Sequence, residues 1–168
     1  MAQEQGIIVR RAKPSDASRI AAFINRVVGK QSVDDLTIIE SFGDEGFLLA
    51  ERGDSLVGIL GWRAENLVVR VTHLLIWPAA EHITAAPALF SEMENAAASL
   101  QCEASLLLPP GSGLSPRQIE FFGELGYKPQ TVAGLPKAWR EAAREAKLDD
   151  DDPVLVKQLR ERRVLRPL

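Results

Sequence analysis

The spacing of apolar residues changes several times along the chain, and each change marks an element. Ile7, Ile8 and Val9 are three successive β-formers and predict a strand. After Pro14 the period becomes helical: Ile20, Phe23, Ile24, Val27 and Val28 recur at helical spacing, with Ser15 or Asp16 placed to cap the helix. Beyond Gly29 and Lys30, Val33, Leu36, Ile39 and Phe42 stand three apart and predict a short second helix, stopped by Gly43. The pattern then turns strand-like over residues 47–50, 56–62 and 67–77. Gly53-Asp54 and Glu65-Asn66 supply the hairpin turns of an antiparallel meander. Leu89, Met93, Ala96, Ala97 and Leu100 return to one helical face, and residues 104–108 form a wholly apolar strand. A helix and a strand following a strand imply a parallel crossover. "SPRQIEFFGELGY" predicts a further helix, with Pro116 in its first turn and Gly126 at its end. A charged amphipathic helix over residues 137–148 is organised around Trp139, Ala143 and Ala146, and residues 154–159 predict a closing strand.

No internal repeat or low-complexity linker interrupts this α/β order, so the 168 residues predict one domain with a substantial core. At 46% hydrophobic and 26% charged, the composition is that of a soluble globular protein. A formal charge of -3 offers no general attraction to nucleic acid or anionic lipid. Cys102 is the single cysteine, which excludes an intramolecular disulfide; with only two histidines, a Cys/His zinc cage within one chain is excluded too, and no metal is expected. The opening "MAQEQGIIVRR" lacks the apolar core of a signal peptide and no apolar run is of membrane-spanning length, so a cytoplasmic protein without membrane contact is expected.

Specific segments narrow the fold. "IIVRRAKPSDASRIAAFIN", "FLLAERGDSLVGILGW" and "SPRQIEFFGELGYKP" fall in the order and spacing of the first strand and helix, the second and third strands, and the late helix of one family. Over residues 7–129 the chain resembles the GNAT superfamily of acyl-CoA-dependent N-acyltransferases. That resemblance implies a twisted, mostly antiparallel sheet with one central parallel pair, flanked by helices, with residues 137–148 and 154–159 as elaboration. It also implies transfer of an acetyl group from acetyl-CoA to a small-molecule or peptide amine, and a homodimer formed through terminal strands. In the family the strand equivalent to Leu74, Leu75 and Ile76 presents main-chain groups to the pantetheine arm, and main-chain donors do not depend on side-chain identity. The family's diphosphate turn, Q/R-x-x-G-x-G/A, corresponds here to Glu81-His82-Ile83-Thr84-Ala85-Ala86. Only Ala86 matches. Thr84 stands where glycine lets phosphate approach the amides, Pro87 removes an N–H from the first turn, and Glu81 brings negative charge. A unit charge about 4 Å from a phosphate costs on the order of 4 kcal/mol at an effective dielectric near 20. If Thr84 instead caps the helix, Glu81 is solvated.

Acetylation of an amine needs a base to free the nitrogen and an acid for the departing thiolate. The position of the family's acidic tyrosine holds Phe122, and Tyr127 lies past the end of that helix. His73, on a strand face with Val69, Val71, Leu75 and Trp77, is one candidate base, against the alternative of a packed histidine among apolar neighbours. Glu65, at the bend before that strand, is the other, against a solvated turn glutamate. His82 sits beside Glu81 in an exposed turn. Asp149 to Asp152 lack the glycine and terminal glutamate of a calcium loop. Arg160, Arg162, Arg163 and Arg166 read as a strand edge or interface arm, and Cys102 as a buried thiol. The alternative to an enzyme is a catalytically inactive module of the same fold that binds a small ligand or a protein partner.

Overall fold

The computed structural model describes residues 6–65, 67–107 and 115–160. Its strands are β1 (Ile7–Arg11), β2 (Gly46–Arg52), β3 (Ser55–Glu65), β4 (Val68–Ile76), β5 (Ala104–Leu107), β6 (Lys128–Thr131) and β7 (Pro153–Gln158). The helices are α1 (Ala17–Val28), α2 (Asp35–Ser41), α3 (His82–Ser99), α4 (Pro116–Glu124) and α5 (Lys137–Glu145). The strands make one mixed sheet in the order β1-β2-β3-β4-β5-β7-β6. Its parallel pair is β4 with β5, in register from Val68 opposite Ala104 to Val71 opposite Leu107. The pairs β1–β2, β2–β3, β5–β7 and β6–β7 are antiparallel. The predicted meander and crossover are therefore both present. Contacts divide the chain into two compact units, Met1–Arg63 with Thr72–Met93, and Ala64–Val71 with Glu94–Leu168.

In the first unit, Ala17, Ile20, Ala21, Phe23 and Ile24 of α1 pack with Ile38, Leu49 and Ile59 into a core. Asp16 holds the N-cap position but its side chain makes no cap. The carboxylate instead accepts the Lys13 N–H at 2.7 Å and a forked contact from Arg10 at 2.8 and 2.9 Å, tying β1 to the start of α1. That guanidinium holds the Asp16 carboxyl down at about 2. The short second helix is present as α2, but Ile38 is its buried residue, while Leu36 and Ile39 are 62% and 47% exposed. A strict spacing of three drifts about 60° backwards around a helix at each step, so four such residues cannot share one face. Val33 and Phe42, which lie outside the helix, reach the core with Ile38.

The start of α3 is a second correction. A 3-10 turn over Ala79–Glu81 runs directly into His82, so Thr84 is the third residue of the helix rather than its cap. Pro87 accordingly lies inside α3, not in its first turn. Ala85, Ala86, Leu89, Phe90, Met93 and Ala97 are buried, whereas Leu100 falls beyond the helix and is exposed.

The second unit is built on Val68, Ala104, Leu106, Val132, Leu135, Trp139, Ala142, Ala143, Val154 and Val156. Ser115 and Gln118 close a capping box at the start of α4, with Pro116 next. Past its end Gly126 has φ 98, a left-handed conformation that disfavours a side chain. Helix α5 stops at Glu145, short of the expected 148, where Lys147 turns to φ 64. Asp149 to Asp152 form a turn in which the Asp149 N–H donates to the Asp152 carboxylate at 2.7 Å. The carbonyls of Asp150 and Asp152 accept from Ala133 and Val132. Asn66, Leu108, Arg162, Arg163 and Arg166 lie outside the described residues. No helix among the described residues is long and apolar enough to cross a membrane.

Candidate functional site

His73 projects from β4 beside Thr72, and its surroundings differ from the apolar ones its strand face predicts. The side chain is 44% exposed, and Nδ1 lies 3.2 Å from Glu45 Oε2 and 3.2 Å from Thr72 Oγ1. The Thr72 hydroxyl itself donates to the same carboxylate oxygen at 2.7 Å. The Phe47 ring lies against the imidazole, with centroids 6.0 Å apart. Burial pushes the Glu45 carboxyl up, but the hydrogen bonds from His73 and Thr72, with the charges of His73 and Arg63, more than offset it. The carboxyl ends below its usual range. A carboxylate partner assigns the proton to Nδ1 and leaves the Nε2 lone pair for an incoming proton, the arrangement of a general base.

The backbone makes this cluster fit. A Cβ on Gly61 of β3 would stand 2.8 Å from Thr72 Oγ1, 3.0 Å from His73 Nδ1 and 3.2 Å from Phe47 Cε1. Glu45 and Thr72 are the partners that sequence reasoning missed. The available signal was Gly61, a glycine in a strand interior, which marks close approach by a neighbour.

Leu74, Leu75 and Ile76 follow on β4, where Ile76 is buried and Leu75 packs on the α1 core. The strand ends as the Trp77 N–H donates to Val57 O at 2.9 Å, and the Trp77–Pro78 peptide is cis. In the turn that follows, Glu81 is neither solvated nor turned toward a ligand as a lone charge. Arg52, at the end of β2, grips its carboxylate through Nε at 3.2 Å and Nη2 at 2.8 Å. A forked pair of this kind is directional and fixes both partners. The Glu81 N–H donates to Pro78 O and the His82 N–H to Ala79 O, so the 3-10 turn uses two of the amides that open the helix. Thr84 is exposed, and Ala85 and Ala86 are fully buried.

Glu65 belongs to the second unit, where its Oε1 lies 3.8 Å from Arg70 Nη2; the two side chains are only 17% and 15% exposed. It is thus an ion-paired strand residue rather than a solvated turn glutamate. Tyr127 is buried, and its hydroxyl shares a 2.6 Å hydrogen bond with buried Ser105 Oγ. Burial pushes that phenol well above its ordinary value, which makes it a structural group rather than a proton donor to solvent-borne substrate. Phe122 packs edge-on against Phe121 at 5.2 Å. Burial lowers His82 below the usual histidine value, and the same effect raises the Cys102 thiol.

No family model matches the chain, and no curated protein matches it. Solved structures do. The chain is similar to N-acetylglutamate synthase from Neisseria gonorrhoeae complexed with coenzyme A and N-acetyl-glutamate, at 22% identity and a TM-score of 0.64. That match covers 95% of this chain but only 37% of the synthase. An acetyltransferase of the GNAT family from Staphylococcus aureus matches at 14% identity over 92% of this chain and 100% of its own, with a TM-score of 0.63. The aminoglycoside 6'-N-acetyltransferase from Enterococcus faecium matches at 18% identity over 92% and 98%, with a TM-score of 0.64. Identities this low speak for architecture, and the architecture they establish is the GNAT acyltransferase fold.

Proposed function

We propose that this chain transfers an acetyl group from acetyl-CoA to the amine of a small molecule, with His73 as the base. The observation that carries the reading is the His73 imidazole on β4, held by Glu45 from the turn before β2 and immediately preceding Leu74–Ile76, in a fold shared with acetyltransferases. In the step, the amine gives a proton to Nε2 of His73 as its nitrogen attacks the thioester carbonyl carbon. The C–S bond then breaks, and the sulfur leaves as a thiolate and takes a proton from water, while His73 returns its proton to solvent. The main chain of Leu74, Leu75 and Ile76 is assigned to the pantetheine arm and the thioester oxygen. Glu65, engaged by Arg70, ranks behind His73 as a base. Small amines are the natural acceptor class because two neighbours are named for N-acetylglutamate and aminoglycosides. We further take residues 1–168 as one functional domain acting in the cytoplasm as a homodimer, without metal.

The diphosphate end is the weak part of the fit. Thr84, Ala85 and Ala86 lie where it would rest, yet Glu81 and Arg52 neutralise each other and leave no net charge for it. The donor is therefore read mainly through its pantetheine arm. Calorimetry with acetyl-CoA and with acetyl-pantetheine, followed by thiol release over a panel of amines, tests this. Binding of the two donors within about threefold of each other is expected, which is under about 1 kcal/mol. Glu45→Gln and His73→Ala should each lower kcat by about a hundredfold or more. No binding of either donor at millimolar concentration would sink the reading in favour of a non-catalytic module. Phe122, at the position of the usual acid, is the observation that favours that second reading.

A further inference from the structure

We propose that the first unit carries a second binding site, for a small monocarboxylate with a flat apolar body, which shares Glu81 with the turn at the diphosphate end but none of the residues assigned to the pantetheine arm or to the base. A cavity of about 270 Å³ lies among the last turn of α1, the β2–β3 turn and the turn before α3. Arg26, Arg52, Ser55, Leu56, Trp77 and Glu81 line it. A second cavity of about 230 Å³ shares Arg26, Ser55 and Leu56 and continues toward Arg19 and Phe23.

The charges select the ligand. Arg52 is matched by Glu81, and Arg19 is matched by Glu51 and also donates to Asp54 O at 2.7 Å. Arg26 makes no hydrogen bond or ion pair with any other described residue, so the lining carries one uncompensated positive charge. A single guanidinium fork fits a carboxylate through two parallel N–H···O bonds. The apolar half is supplied by Leu56, Pro78 and Trp77, a residue 45% exposed. A half-exposed tryptophan on the lining can offer a ring face to a planar ligand. Cavities that hold drug-sized ligands run from about 300 Å³ upwards, so this one suits a single ring bearing one acid group. Arg26 also complements the partial negative charge at the end of α1. That role explains a basic residue in the last turn, but not its place with Trp77 on the lining of one cavity.

Benzoate, with inorganic phosphate as the comparison, tests the site on the full chain. The readout is the indole N–H resonance of Trp77, identified with Trp77→Phe. Benzoate should shift it saturably, Arg26→Gln should weaken binding by about tenfold or more, and Arg26→Lys should weaken it less, in line with the worth of a hydrogen bond to a charged group. Arg26 is exposed, so both variants should melt as the parent does. Saturating acetyl-pantetheine, which lacks the diphosphate, should leave the benzoate titration unchanged. An unsaturable response, or equal affinity in Arg26→Gln, overturns the proposal. Phosphate binding as tight as benzoate removes its apolar half, and displacement of benzoate by acetyl-pantetheine overturns its independence from the pantetheine residues.

Discussion

Replacing Tyr127 with phenylalanine separates a structural tyrosine from a catalytic one. The side chain is 1% exposed, and its hydroxyl lies 2.6 Å from the Oγ of Ser105, which is itself fully buried. Deleting the phenol oxygen strands the serine hydroxyl in an apolar interior, where an unsatisfied polar group costs about 1–3 kcal/mol. For a chain of this length that lowers Tm by about 2–4 °C per kcal/mol. Ser105→Ala should also destabilise, and the double variant should lose less than the sum of the two, with a coupling of about 1 kcal/mol. Urea unfolding followed by circular dichroism at constant m measures all three. Strict additivity within about 0.5 kcal/mol would refute the argument, as would a harmless Tyr127→Phe. A pH titration adds an independent check, because Tyr127 is the sole tyrosine and its ionisation is directly visible in the absorbance spectrum. Burial raises the folded phenol, Ser105 partly opposes this and Glu94 adds to it. The unfolded phenol ionises near pH 10. Stability is therefore intact below that pH and falls as pH rises beyond it, with the tyrosinate band appearing only on unfolding. A smooth titration of the folded protein near pH 10 would contradict the burial. Donor binding should be untouched by Tyr127→Phe.

Asp16, held at about 2 by Arg10 against a usual 3.8, contributes stability above about pH 4 that is lost as pH falls toward 2. Asp16→Asn should flatten thermal melts across that window, and an unchanged slope would dismiss the Arg10 contact as inconsequential. Gly61→Ala would drive a methyl group against Thr72, His73 and Phe47, so a loss of about 1–3 kcal/mol in urea unfolding is expected. A variant as stable as the parent, with the His73 resonances unmoved, would mean that the cluster is looser than its distances imply.

The strands and most helices are legible because their apolar periods are local properties of the chain, as with Ile20, Phe23 and Ile24 on α1 or Ala104, Leu106 and Leu107 on β5, where buried Ser105 is the one polar residue. Helix α2 shows the limit: at seven residues, a spacing of three is too poor a template to choose a face. Thr84 was read as a cap because its residue type favours that position, yet the chain has already begun to wind at Ala79. The site's chemistry was less legible still. His73 was found by its type, whereas Glu45 is 28 residues away in sequence and meets it only because β2, β3 and β4 lie side by side. The partner of Glu81 escapes the sequence for the same reason, since it stands 29 residues earlier.

The Arg52–Glu81 clamp also constrains how this turn can be re-engineered or diversify. Converting Glu81 alone to a phosphate-friendly residue removes the forked partner of Arg52 at the hairpin end, and converting Arg52 alone strands a carboxylate beside the helix start. A grafted glycine-rich loop would have to change both positions together, so variants selected for tighter nucleotide capture should carry paired substitutions there rather than single ones.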